Sequence, residues 1–230
     1  FYQGDINYYV NTHEQSSGHA ATGYAKSSGK TGVCVVTSGP GLTNMITPML
    51  DATNDSTPLV VFSGQVPVTA MGSNAFQECP AVEITTPVTK WSYCVKNSEE
   101  LPSVVDAAFQ IANNGKKGAV HIDLPKCITA GKYQQNTNLE SKLDYQLRIF
   151  THNKLVKTQH TDIDLQQIKT IANVINESEK PVFYIGQGCN HASKLLTEIA
   201  LKAHIPVTTT IHAMGCLDEE NFLSLEFLGM

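Results

Sequence analysis

Short apolar runs at 32–37, 58–62, 91–95 and 119–124 take turns with stretches of helical composition at 14–28, 41–53 and 98–113. These runs are apolar nearly throughout rather than alternating with polar residues, as strands covered on both faces require. Strands of that kind, spaced by helices, predict an α/β fold with a parallel sheet and helices on each side. A looser stretch fills residues 63–88, and from 127 to 160 the pattern stops, with polar runs such as Gln134-Gln135-Asn136-Thr137-Asn138. That segment reads as an interdomain linker. A second α/β unit begins near Asp162 with a helix to about 175, a strand at 181–185, a helix at 191–203 and a strand at 205–209. Two βα units are few for a sheet of ordinary width, so the expectation is an incomplete α/β central domain. The expected layout is a first domain over 1–126, a linker over 127–160 and the start of a central domain over 161–230. The chain opens at Phe1 without a methionine and stops at Leu228-Gly229-Met230, which reads as cut at both ends.

Hydrophobic residues make up 41% of the 230, enough for sizeable cores, and 21 acidic against 16 basic side chains give a net charge of -5. No block of like charge occurs, so nucleic acid is not an expected partner. No window reaches the roughly 18 consecutive apolar residues of a membrane helix, and no signal peptide is recognisable, which points to the cytoplasm unless a transit peptide precedes the chain. Cys34, Cys79, Cys94, Cys127, Cys189 and Cys216 show no metal-ligand spacing and read as free thiols.

Chemistry concentrates in two places in the first domain. His13-Glu14-Gln15 precedes a helix rich in small residues, Ser16, Ser17, Gly18, Ala20, Ala21, Gly23 and Ala25. Taken alone, a carboxylate at a helix start is a cap, favoured by free N–H groups and the helix dipole. The run 32–37 then enters Ser38-Gly39-Pro40-Gly41, where glycines admit backbone conformations and close approaches that a side chain blocks. His13 and His19 have no third ligand in sight and read as packing groups, so no metal site is expected in this chain.

These residues resemble the pyrimidine-binding domain of the acetolactate synthase family of thiamine-diphosphate enzymes. The matching pieces are His13-Glu14-Gln15, Gly23-Tyr24-Ala25, residues 37–41 with Asn44, residues 63–67, Ala75-Phe76-Gln77-Glu78, Thr89-Lys90-Trp91, residues 100–102 and Asp123-Leu124-Pro125-Lys126. The resemblance implies that Glu14 hydrogen-bonds the cofactor's aminopyrimidine and serves its proton relay. It implies that Gly39, Pro40, Gly41 and Asn44 line the cofactor, and that Gln77, with Phe76, stands near its reacting end. It places Lys90 at the entrance of the substrate channel. On their own terms, Phe76 and Gln77 also fit an anchored loop and Lys90 a solvated surface lysine, while Gln65 shapes a turn and the pocket floor.

Gly186-Gln187-Gly188 follows an apolar strand and fits a plain strand-to-helix turn as well as a phosphate site. By resemblance the same turn, with Thr210, Ile211 and Leu228-Gly229-Met230, holds a structural FAD. Two departures stand against FAD: Gln187 replaces the middle glycine of the family's triplet, and Lys116 stands where an arginine contacts the flavin. Magnesium and the cofactor's diphosphate belong, in the family, to a third domain marked by Gly-Asp-Gly, a sequence absent here. The implied reaction joins pyruvate, after loss of carbon dioxide, to a second 2-keto acid on the route to branched-chain amino acids. A homodimer with shared active sites and a regulatory subunit are implied partners, and 1–230 alone is expected to be inactive. The alternatives are a sister thiamine-diphosphate enzyme, such as an oxalyl-CoA or 2-keto-acid decarboxylase or a sulfoacetaldehyde acetyltransferase, or an inactive paralogue.

Overall fold

The computed structural model describes Gly4, residues 6–131 and residues 164–229, which fall into two compact units, one within 1–159 and one within 160–230. Most of the expected linker lies outside the described residues, and its first residues belong to a helical turn, Lys126–Thr129.

In the first unit the apolar runs become β1 (Gly32–Val36), β2 (Leu59–Gln65), β3 (Trp91–Cys94) and β4 (Ala119–Pro125), all parallel, in the order β1-β2-β4-β3. Helix α1 (Glu14–Ser28) leads into β1 through Gly29, whose left-handed backbone (φ 72°) ends the helix. The single helix expected at 41–53 is two, α2 (Pro40–Thr43) and α3 (Ile46–Asn54), because the chain bends at Asn44 and Met45. The loose stretch contains α4 (Ala81–Thr85), and the helix expected at 98–113 is a 3₁₀ turn, Ser98–Glu100, followed by α5 (Leu101–Asn113). The turn Lys126–Thr129 is α6.

Successive residues of β2 point to opposite faces, so Val61 joins one core with Leu42, Met45, Met49 and Leu59, while Val60 joins another with Trp91, Val104, Ile111 and Ile122. The expectation of cover on both faces fails at β1. Its burial alternates, with Val33 46% and Val35 54% exposed, because β1 is an edge strand and α5 packs beyond it, over β2 and β4.

The second unit is another parallel sheet, β5 (Phe183–Ile185), β6 (Val207–Thr209) and β7 (Ser224–Phe227), in that order. Sequence reading did not anticipate β7. Helix α7 (Leu165–Glu177) starts at Asp164, whose Oδ1 accepts from the amides of Gln166 and Gln167 at 2.9 and 3.2 Å. The helix expected at 191–203 begins two residues later as α8 (Ser193–Ala203), after a 3₁₀ turn over Gln187–Ala192.

Candidate cofactor sites at the carboxyl ends of the sheets

In a parallel sheet, ligands bind outside the carboxyl ends of the strands. The turn leaving β1 lies at that end of the first sheet, and its glycines are there for space. Gly39 has φ 58°, and a Cβ on it would lie 2.7 Å from the Gln77 carbonyl oxygen; a Cβ on Gly41 would lie 2.7 Å from Thr37 Cγ2. Gln77 itself is left-handed (φ 61°). The loop that carries it is folded by Glu78, whose carboxylate accepts from the amides of Gly72 and, at 3.0 Å, Ala75. Those bonds hold the Glu78 pKa below the usual carboxylate range. Phe76, beside Gln77, is 89% exposed.

Glu14 meets this turn from α1. The cap of α1 is His13, whose Nδ1 accepts from the Gln15 amide at 3.1 Å, so Glu14 is free of that duty. Its Oε2 accepts from Asn44 Nδ2 at 3.0 Å. That bond, then the backbone N–H of Glu14 itself and the nearby His13, lower the Glu14 pKa. Glu14 stands half-exposed at the start of α1, where Gly18 and Ala25 are buried while Ser16, Ala20 and Gly23 are exposed. His19 pairs with Asp51 at 3.7 Å on the surface.

Beside the turn, a cavity of about 530 Å³ has Gln65, Asp123, Cys94 and Cys79 among its lining residues. Gln65 Nε2 donates to Asp123 Oδ2 and to the Cys79 carbonyl, each at 3.0 Å, which fixes the floor. Beneath it Ser63 Oγ donates to Asp123 Oδ1 at 2.7 Å and lies 2.8 Å from His121 Nε2, while Ser92 and Thr85 reach His121 Nδ1 at 2.8 and 3.0 Å. His121 and Asp123 are fully buried, so burial drives the His121 pKa down to about 3 and raises that of Asp123. Sequence reading missed this network; polar residues within an otherwise apolar strand, His121 and Asp123, were its signal.

The fold thus brings together Glu14, Gly39, Pro40, Gly41, Asn44 and Gln77. It does not bring Lys90 to them. Lys90 precedes β3 and therefore lies at the amino end of the sheet, where its Nζ donates to the carbonyls of Ile111 and, at 2.6 Å, Asn114, ending α5; burial lowers its pKa. Lys116, exposed in the segment before β4, is at that same end. Lysines at the carboxyl end are Lys126, which follows β4 directly, and Lys96, two residues after β3.

In the second unit, Gly186 and Gly188 follow β5, Thr210 and Ile211 follow β6, and Leu228 and Gly229 follow β7, so all six share one sheet edge. Nothing lies within 4 Å of a Cβ placed on Gly188, and the nearest atom to one on Gly186 is Thr210 Oγ1 at 3.9 Å. The backbone there stands open to a ligand. Among the described residues no group of three or more His, Cys, Asp or Glu is placed to hold a metal, and no helix is long and apolar enough to cross a membrane.

Residues 1–84 match the thiamine pyrophosphate enzyme, N-terminal TPP binding domain, and residues 168–230 match the thiamine pyrophosphate enzyme, central domain. The mitochondrial acetolactate synthase catalytic subunit of Saccharomyces cerevisiae is 45% identical over 228 residues, 98% of this chain and 33% of that protein. A probable acetolactate synthase large subunit of Methanocaldococcus jannaschii is 39% identical over 235 residues, covering 100% of this chain and 38% of its own length. The chloroplastic acetolactate synthase of Arabidopsis thaliana is 40% identical over 218 residues, 95% of this chain and 31% of that protein. The chain spans about a third of the length of these relatives. Matched by two successive domains of one family and by relatives of one kind from fungi, archaea and plants, the chain belongs to the thiamine pyrophosphate enzymes, as a relative of the acetolactate synthase catalytic subunits.

Proposed function

We propose that the chain is part of the catalytic subunit of an acetolactate synthase, which joins pyruvate, with loss of carbon dioxide, to a second 2-keto acid in branched-chain amino-acid synthesis. Residues 1–126 are its pyrimidine-binding domain, 127–160 a linker and 161–230 the start of its central domain. The observation that carries this reading is the Glu14 carboxylate held by Asn44 beside the Gly39-Pro40-Gly41 turn, at the carboxyl end of a parallel sheet.

Thiamine diphosphate, when bound, supplies the carbanion chemistry of the reaction. The residues present fit its pyrimidine: Glu14 Oε1, which Asn44 does not engage, would share a proton with a ring nitrogen of the bound cofactor. In the chain alone the Asn44 bond lowers the Glu14 pKa, so the proton shared with the ring would have to be held between the two partners once the pyrimidine is in place. Gly39 and Gly41 keep the turn low enough for the ring to approach, and Gln77 borders the same space. Magnesium and the diphosphate fall to the part of the relatives that these residues do not span. Gly186, Gly188, Thr210 and Ile211 fit an FAD in a structural role, since their shared edge leaves backbone open for a dinucleotide. Lys116 is a candidate flavin contact on its charge alone.

The relatives named catalytic subunits favour a regulatory partner, and a homodimer with shared sites completes the assembly. Relatives named mitochondrial and chloroplastic favour an organelle over the cytoplasm.

Glu14→Gln in the full-length enzyme tests the reading. Circular dichroism should be unchanged while acetolactate formation falls by roughly two to four orders of magnitude, the scale of a lost acid–base group. Turnover near the wild-type rate would overturn it.

A further inference from the structure

Asn44 is anchored on both sides before its side chain engages anything. Leu42 and Met45 are fully buried, and the Asn44 amide donates to the Pro40 carbonyl at 3.2 Å, closing α2. From that fixed backbone Nδ2 crosses to α1 and donates to Glu14 Oε2.

What allows the crossing is one turn further along α1. Gly18, at i+4 from Glu14, lies on the same face of the helix. A Cβ at this position would stand 2.5 Å from Pro48 Cβ and Cγ and 2.9 Å from Met45 Cε. The backbone of α1 therefore packs directly on the start of α3, and any side chain at 18 pushes it away. Pro48 is one helical turn beyond Asn44 in the chain, so the separation that Gly18 fixes at Pro48 also sets the reach from Asn44 to Glu14.

An amide NH₂ donates without ever taking the proton, so it can orient a carboxylate and favour its charged form while leaving its chemistry alone. We infer that Asn44 is a positioning residue that acts only through Glu14, by fixing the plane of that carboxylate, with Gly18 setting the distance at which it does so. The inference rests on the role proposed above for Glu14, and it replaces the expectation that Asn44 touches the cofactor itself.

A double-mutant cycle on the full-length enzyme separates the two roles. Asn44→Ala should lower kcat about 10- to 100-fold while moving the KM for thiamine diphosphate less than about threefold, and in a Glu14→Gln background the same change should alter kcat less than about twofold. Gly18→Ala should repeat the Asn44→Ala pattern, with a loss in kcat that likewise vanishes behind Glu14→Gln. An Asn44→Ala loss of equal size in both backgrounds would mean that Asn44 works independently of Glu14. A KM for thiamine diphosphate raised about tenfold or more in both would mean direct contact with the cofactor, and either result overturns the inference while leaving the Glu14 role intact. Wild-type turnover in Glu14→Gln alone removes both readings together.

Discussion

Helices α5 and α7 have the same length, 13 residues, and both read as amphipathic, yet they end differently. In the first unit α5 buries Val104, Ala107, Ala108, Ile111 and Ala112 against β2 and β4, strands of seven residues that are themselves almost wholly buried. In the second unit α7 buries none of its residues: Leu165, Ile168, Ile171 and Val174 are all more than half exposed. Its sheet has strands of three or four residues, and only β6 is buried throughout. An apolar stripe specifies which face a helix would bury, but burial needs a sheet broad enough to lie on. The two units share an architecture and differ in how much of it each can cover.

Deleting side-chain carbons should sharpen that difference most. Ile122, fully buried in β4, should cost about 2–5 kcal/mol as Ile122→Ala, because the closed core cannot collapse around the cavity. Urea unfolding of the 230-residue chain followed by the fluorescence of Trp91, its only tryptophan and a member of the same core, measures this directly. Ile168→Ala on α7 should cost less than about 0.5 kcal/mol by hydrogen exchange in the second unit. Equal costs would break the comparison.

Acid should also act on the buried groups of the first unit, while the second has no buried histidine or carboxylate among the described residues. The folded His121 titrates at about 3, whereas an unfolded histidine titrates near 6.5. Between those values the unfolded chain binds a proton that the folded chain refuses, so stability falls with acid, by at most about 1.4 kcal/mol per pH unit. Asp123 opposes this: its raised folded pKa makes the folded state bind the proton first above the unfolded value of 3.8, so acid stabilises in that window. Asp123→Asn leaves His121 unopposed, and the Trp91-reported stability of that variant should fall more steeply than the wild type's as the pH drops from about 6.5 toward 3.8. Parallel curves would show that the network is not titrating as the burial requires.

One expected effect is a gain. Thr209, in the one fully buried strand of the second sheet, has a buried hydroxyl with no hydrogen-bond partner among the described residues. Thr209→Val should add about 1 kcal/mol, since it removes an unsatisfied polar atom at nearly constant shape, and should slow amide exchange in β6. Faster exchange would mean that the hydroxyl has a partner in solution.

Much of the first unit was legible because three of its four strands, β1, β2 and β4, grow from apolar runs of five or more residues. What escaped did so for physical reasons. Strand β7 is Ser224-Leu225-Glu226-Phe227, half-exposed and too short and mixed to give an apolar run. The break between α2 and α3 has neither glycine nor proline at Asn44 and Met45 to announce it. That Lys90 lies at the amino end of the sheet, apart from Glu14 and the Gly39 turn, escaped because a motif spanning Thr89, Lys90 and Trp91 shows only sequence neighbours. A residue just before a parallel strand lies a full sheet-height from residues just after one. The spatial grouping of Glu14, Gly39, Gly41 and Asn44 was legible, because each follows or faces a strand's carboxyl end. The bond from Asn44 to Glu14 was not, since 30 residues separate the partners.

The bare flank of β1 has a practical meaning for anyone preparing these 230 residues. Among the described residues no strand neighbours its outer backbone amides and carbonyls, and Val33 and Val35 lie exposed beside them. Natural sheets blunt such margins with lysine, proline or a bulge, and β1 has none of these between Gly32 and Val36. An unguarded apolar margin of this kind is a template for strand pairing between molecules, so the concentration at which the isolated polypeptide is kept, rather than its melting temperature, sets its shelf life.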